Sequence, residues 1–263
     1  MKKTFFYSAI IFVLIFTFSF NAYSDDFTNA MMKAKKNLTA ALNTYDEKDL
    51  LKVRGEFERI LQLKMNEWVV NYYMAYIDYN IATSGMKDQD NEKIKKYTQS
   101  GFAVIDKSIE QKDDFADSYV LKMCLTFNRW MYEQDKMDDI MAVTQQTDAA
   151  ALKLDAMNPR YYLMKGISAL YMPEAFGGGA DASLKLLEKA YDIFQTRKEA
   201  EEYYPDWGYS MSFGFMATAF MKRDKEGDME KAKTFIDKGL EKFPDSGMLK
   251  EVLKQYEEKT KKN

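Results

Sequence analysis

The side chains that carry most enzyme chemistry are scarce here. The chain has no histidine and one cysteine, Cys124, in 263 residues. Without imidazole there is no His-based general acid or base, no Ser–His or Cys–His nucleophile pair, and few routes to a transition-metal site. Cys124 stands between Met123 and Leu125, the setting of a small core side chain, and as the lone cysteine it forms no intramolecular disulfide. Carboxylates are abundant, 41 in all, yet no motif singles out a pair for glycoside chemistry. Asp135, Asp138 and Asp139 lack the central Gly and closing Glu of a calcium loop. Gly177-Gly178-Gly179 is followed by no Gly-Lys-Ser/Thr, so it is not a phosphate loop. It reads as a turn that needs positive φ. With Phe176 before it, it could also touch a partner or shape the mouth of a groove. We expect no enzyme, no metal site and no cofactor.

What remains is binding chemistry, carried by aromatic rings. Tyr72, Tyr76 and Tyr79 share one helix face at i, i+4 and i+7, and Trp68 extends that face backwards. Tyr119, Met123 and Trp130 form a shorter row, and Tyr161, Tyr162, Ile167 and Tyr171 spread around another segment. Such rows either pack as core or line an apolar groove with polar tips, because a buried tyrosine hydroxyl needs a partner. Asn128-Arg129 sits within Leu125–Tyr132, among Phe127, Trp130 and Tyr132. A guanidinium there either pairs with an acid, Asp78 or Asp106 being the candidates, or waits for a ligand carboxylate. The candidate groove is Trp68, Tyr72, Tyr76, Tyr79, Asn128, Arg129 and Tyr162. The loop at its mouth is Phe176, Gly177, Gly178 and Gly179.

These residues need helices to position them. No window alternates Val, Ile and Thr between turn residues, so strands are not expected. The pattern predicts eleven helices near 26–44, 47–64, 66–84, 91–111, 114–134, 137–156, 159–172, 180–198, 206–223, 228–243 and 246–260. Asp46 and Asp49, Asp113-Asp114, Asn158-Pro159, Gly227-Asp228 and Pro244-Asp-Ser246 mark starts and stops. Trp68–Tyr79 and Trp207–Phe220 are apolar nearly all round, and each is followed by an amphipathic stretch. A rod apolar on every side must be covered on every side, whereas an amphipathic one packs once. Alternating the two builds a stack of helical hairpins.

Junctions at Met65-Asn66, Asp113, Asn158-Pro159, Tyr204-Pro205 and Phe243-Pro244 recur at intervals suited to a two-helix repeat. With Ala219, Gly227-Asp228, Ala232, Gly239 and Pro244 in place, 206–246 resembles a tetratricopeptide repeat. Asn158-Pro-Arg160, Gly166, Pro173–Gly179 and Leu184–Ala190 resemble the periplasmic TRAP transporter T-component family over about a seventh of the chain. That resemblance implies a secreted helical-repeat bundle associated with a solute-binding protein or transporter. The anchoring cysteine of lipid-tethered members is missing. The expected fold is all-α, a right-handed superhelix of antiparallel helical hairpins forming one domain over 25–263.

The first segment reads as a secretory signal over 1–24. Lys2 and Lys3 precede an apolar run from Phe5 to Phe20, and Asn21-Ala-Tyr-Ser24 offers a cleavage site after Ser24. An uncleaved anchor is disfavoured, since the run is shorter than the ~20 residues of a bilayer span. Losing Lys2 and Lys3 would take the formal charge from −3 to −5. A mildly acidic chain without a basic stripe is not built for nucleic acid or an anionic membrane surface. The Lys-rich tail, Lys254 to Lys262, is interrupted by Glu257 and Glu258. Periplasmic or secreted location is expected. The expected function is non-catalytic binding of a partner protein, such as a transporter's solute-binding component, through a concave aromatic surface. A carrier of a small apolar or amphiphilic ligand is the alternative.

Overall fold

The computed structural model describes residues 25–44 and 46–261. The proposed signal segment lies outside the described residues. Among the described residues there are eleven α-helices and no strand. They are α1 (25–44), α2 (Glu47–Ile60), α3 (Glu67–Asp88), α4 (Asn91–Gln111), α5 (Ala116–Asn128), α6 (Met137–Leu154), α7 (Pro159–Tyr171), α8 (Ala180–Thr196), α9 (Tyr209–Arg223), α10 (Asp228–Lys242) and α11 (Gly247–Thr260). Packing is heaviest within the pairs α3/α4, α5/α6, α7/α8 and α9/α10, and each pair also meets its neighbour. This is the hairpin succession the sequence predicts.

Caps explain most boundaries. The Asp46 carboxylate accepts from the N–H groups of Lys48 (2.8 Å) and Asp49 (3.3 Å). Asp90 does the same for Lys93 at 3.0 Å, Asn158 for Tyr161 at 3.1 Å, and Ser246 for Leu249 at 3.4 Å. Each satisfies an N–H that the first helical turn leaves orphaned. Pro159 occupies the first turn of α7, where its missing N–H costs nothing.

Three boundaries differ from expectation. Helix α3 runs through Gly85 to Asp88, because the break is made by Gln89 in the left-handed region (φ 55°). Its N–H bonds Met86 O, and the Asp90 N–H bonds Gly85 O, the double closure of a Schellman motif. The stretch expected as one helix over 114–134 is α5 followed by single 3₁₀ turns at Arg129–Met131 and Gln134–Lys136, a tighter winding common at helix ends. The helix expected from 206 begins at Tyr209, after Gly208 at φ 107°.

The two kinds of helix separate as predicted. Helix α3 buries Trp68 through Asp78 without a gap, then Asn80, Ile81, Ala82 and Gly85. Helix α4 buries only a stripe, Ile94, Tyr97, Thr98, Gly101, Val104, Ile105 and Ser108. Close approach between α7 and α8 depends on Gly166. A Cβ there would lie 2.8 Å from Leu187 Cγ and 3.2 Å from its backbone nitrogen. The first and last helices also touch. The Gly247 N–H at the start of α11 donates to Asn43 Oδ1 near the end of α1 at 3.4 Å.

Candidate functional site

The aromatic row of α3 is assembled but not open. Trp68, Tyr72 and Tyr76 are 8%, 0% and 3% exposed, and Tyr79 is half-buried. The segment 197–208, between α8 and α9, covers them. The Trp207 indole stacks on Tyr76 with ring centroids 4.5 Å apart and planes 12° from parallel. Its Nε1–H donates to the Tyr72 hydroxyl at 2.9 Å. The Tyr204 ring meets Trp68 edge-on at 5.4 Å and Phe115 at 5.5 Å, while the Tyr73 hydroxyl donates to Tyr204 O at 3.0 Å. Phe27 of α1 meets Tyr203 at 5.3 Å. The strap thus seats one aromatic after another on the face that the spacing Trp68, Tyr72, Tyr76 predicts.

Two buried cations fasten this strap. Arg160, at the start of α7, is 1% exposed. Its Nη2 donates to Glu199 Oε1 at 2.8 Å and to Pro205 O, both on the strap. Its guanidinium carbon lies 5.6 Å from the Trp207 ring centre, and its Nη1 is 3.5 Å from Asp117 Oδ1. Burial pushes the Asp117 carboxyl upward and the Arg160 charge opposes that. Several polar atoms in this chamber have no hydrogen-bond partner: Asp117 Oδ1, Asn158 Nδ2 and Arg160 Nε and Nη1. The second cation is Lys35 of α1, 5% exposed. It donates to Glu202 O at 2.5 Å and Tyr204 O at 2.7 Å and pairs with Asp206 at 3.2 Å. Burial lowers its pKa, against the pull of Asp206.

The other sequence-predicted residues lie in different surroundings. Tyr162 belongs to a second core cluster, apart from Trp68, Tyr72 and Tyr76, and Tyr79 packs against both. Its hydroxyl donates to Ala156 O at 2.8 Å, and Lys189 sits 3.9 Å over its ring. Asn128 is buried and donates to Thr98 Oγ1 at 3.3 Å. Arg129 is paired, but not with Asp78 or Asp106. It bonds Glu133 at 2.5 Å and Asp139 at 2.6 Å. Asp78 is taken by Arg54 of α2 at 2.7 Å, and Asp106 by Lys122 at 2.7 Å. At the loop, Gly177 and Gly179 hold φ of 82° and 96°, and a Cβ on Gly178 would collide with the Met172 carbonyl. Phe176 projects 77% exposed. Cys124 is buried, which pushes its thiol up to about 12, outside the range of a reactive thiolate.

An open cleft lies elsewhere on the surface. Between α1 and α2 lies a cavity of about 340 Å³ lined by Ala30, Ala34, Ile60 and Leu63, with Lys33, Arg59 and Glu56 among its walls. Glu56 accepts from Asn37 Nδ2 at 2.8 Å. Lys33 and Arg59 are exposed, and neither makes an ion pair among the described residues. The cleft therefore offers an apolar floor, two cations without an ion-pair partner and one carboxylate, Glu56, a net positive charge. Sequence reasoning missed it, and missed Arg160, Lys35 and the strap. Arg160 had one visible signal, an arginine directly after a capped proline and before two tyrosines. Lys35 lies in the run Lys33-Ala-Lys-Lys36 and could not be told from solvated neighbours.

No metal-holding group of His, Cys, Asp and Glu occurs among the described residues, and no helix there is long and apolar enough to cross a membrane. The fold and these surfaces define an all-α helical-hairpin protein with a strapped aromatic face and an open cationic cleft. No family model matches the chain, and no curated protein matches it, so the likeness to the TRAP T-component rests on the quoted residues alone. Among solved structures it is similar in fold to the HusA haemophore from Porphyromonas gingivalis. The TM-score is 0.60 at 21% identity, over 77% of this chain and 95% of that one.

Proposed function

We propose that the chain is a non-catalytic binding protein that carries a small amphiphilic anion, received in the α1/α2 cleft. The observation that carries this reading is the pairing of an apolar floor, Ala30, Ala34, Ile60 and Leu63, with the unpaired cations Lys33 and Arg59. A ligand with a greasy body and carboxylate groups matches both at once. The fold likeness to a haemophore agrees in kind, since haem is a planar apolar body bearing two carboxylates. A protein partner on the aromatic row is the weaker reading, because the strap already covers that row. A solute-binding component as that partner has only the Gly-rich turn in its favour. Lack of histidine agrees with a binding role, and the segment 1–24 agrees with export to the periplasm or beyond.

The test is a titration of the full chain with metal-free protoporphyrin IX, a dicarboxylate, followed by porphyrin fluorescence. Lys33→Ala with Arg59→Ala should weaken binding about three- to tenfold, as expected for two exposed charge pairs. Equal affinity of parent and variant, or no binding by the parent, would sink the proposal.

A further inference from the structure

We infer that the strap, residues 197–208, plugs a second binding site whose ligand is a planar aromatic dianion. The argument starts from what the strap presents. A flat indole, Trp207, lies face-on against Tyr76. Two carboxylates precede it in the strap: Glu199 pairs with Arg160 at 2.8 Å and Asp206 with Lys35 at 3.2 Å. The strap thus offers one aromatic plane and two anionic groups.

What it covers is the complement. Lys35 and Arg160 are the only buried cations among the described residues. Between them lie Tyr72, Tyr73 and Tyr76 of α3, with Trp68 and Phe115 beyond. Taking two cations out of water is costly unless anions meet them; Asp117 of α5 meets Arg160 from below at 3.5 Å, and the strap brings a carboxylate to each cation along with its ring. The strap meets that need incompletely. Arg160 Nε and Nη1 make no hydrogen bond in a side chain 1% exposed, the acceptor facing Nη1 being Asp117 Oδ1 at 3.5 Å, towards which Asn158 is also turned. Three donors against the one carboxylate oxygen, Asp117 Oδ1, outnumber the acceptors in the chamber, and a ligand carboxylate adds acceptors there.

The strap and a ligand would compete for the same ring face and the same cations. Apparent affinity then scales with the fraction of molecules whose strap is out. This inference rests on the reading of the chain as a carrier of amphiphilic anions, but it concerns a different site from the α1/α2 cleft.

The test uses the full chain and protoporphyrin IX, with folding of each variant checked by circular dichroism. Trp207→Ala removes a ring stack and a hydrogen bond that hold the strap, and should tighten binding about tenfold. Asp206→Asn acts at a side chain 63% exposed and leaves the fold alone. It should tighten binding about threefold, and keeps the test alive if Trp207→Ala does not fold. Adding Lys35→Met to either should abolish the gain. Ligand should also speed tryptic cleavage at Lys198 by lifting the strap. Unchanged or weaker binding in the folded strap variants would overturn the inference. If the Lys33/Arg59 variant weakens binding while the strap variants gain nothing, the cleft stands and the plug falls. If the strap variants gain and the Lys33/Arg59 variant matches its parent, the plug stands and the cleft falls. No binding by any form overturns both.

Discussion

Replacing Arg160 with methionine should cost about 3–5 kcal/mol, the range found when one partner of a buried charge pair is removed. Methionine fills similar length and keeps the apolar stem, so the loss is chiefly electrostatic. Asp117, 2% exposed, would keep a carboxylate with no cation beside it. Glu199 would lose its 2.8 Å bond, but at 17% exposure it can recruit water. The asymmetry makes Asp117 the source of the penalty. Adding Asp117→Asn in the Arg160→Met background should therefore recover at least half of the loss, a coupling that a double-mutant cycle measures directly. Urea unfolding followed by far-UV circular dichroism supplies the numbers. Acidity gives an independent check. In the single variant Asp117 titrates above its unfolded value, so its penalty is full at neutral pH and is relieved as pH falls and the carboxyl takes up a proton. A loss under 1 kcal/mol, or a second substitution that only adds damage, would refute the argument that this charge is held in place by its partner.

Two further outcomes test the packing and the ion pairs. Gly166→Ala should destabilise by about 1–2 kcal/mol, because the new methyl meets Leu187 at 2.8 Å and its backbone nitrogen at 3.2 Å. That overpacking outweighs the helix-propensity gain of ~1 kcal/mol. Gly55→Ala meets only the Arg59 tip at 3.8 Å and should stabilise by ~0.5–1 kcal/mol; thermal melts that ranked the two alike would be inconsistent with this. Asp228 is gripped by Arg223 through two bonds, 2.8 and 2.6 Å, which hold its carboxyl at about 2, below the usual carboxylate range. Its stabilising share is complete above pH ~4 and lost as pH falls towards 2. Asp228→Asn should cost roughly 1–2 kcal/mol at pH 6 and progressively less in acid; a gap that stayed constant with pH would count against it.

Local chemistry made the helices legible. Asp46, Asn158-Pro159 and Ser246 act within three residues of themselves, so their effect can be read without knowing what lies across the fold. The α3 row was legible for the same reason, since i, i+4 and i+7 share a face wherever the helix goes. The strap's role was not: Tyr204-Pro205 marks a junction, but nothing local says what Glu199, Tyr204 or Trp207 will meet. Their roles come from α1, α3 and α7, 45 residues away for the Arg160 bond to Pro205 and 135 for the Trp207 bond to Tyr72. Arg129 shows both sides. One partner, Glu133, lies at i+4 and was within reach of the sequence. The other, Asp139, lies a helix further on. The acids expected for it were claimed by Arg54 and Lys122 from neighbouring helices.

The bond between Gly247 and Asn43 joins the first helix to the last, and Lys35 ties the same first helix to residues 202–206. A linear repeat array frays from its termini, each outer unit being held by one neighbour only. Here the last helix also touches the first, so each terminal rod has a contact beyond its neighbour in sequence. An array tied at both ends in this way should unfold more nearly as one unit than an open one, with rim and middle melting at similar midpoints.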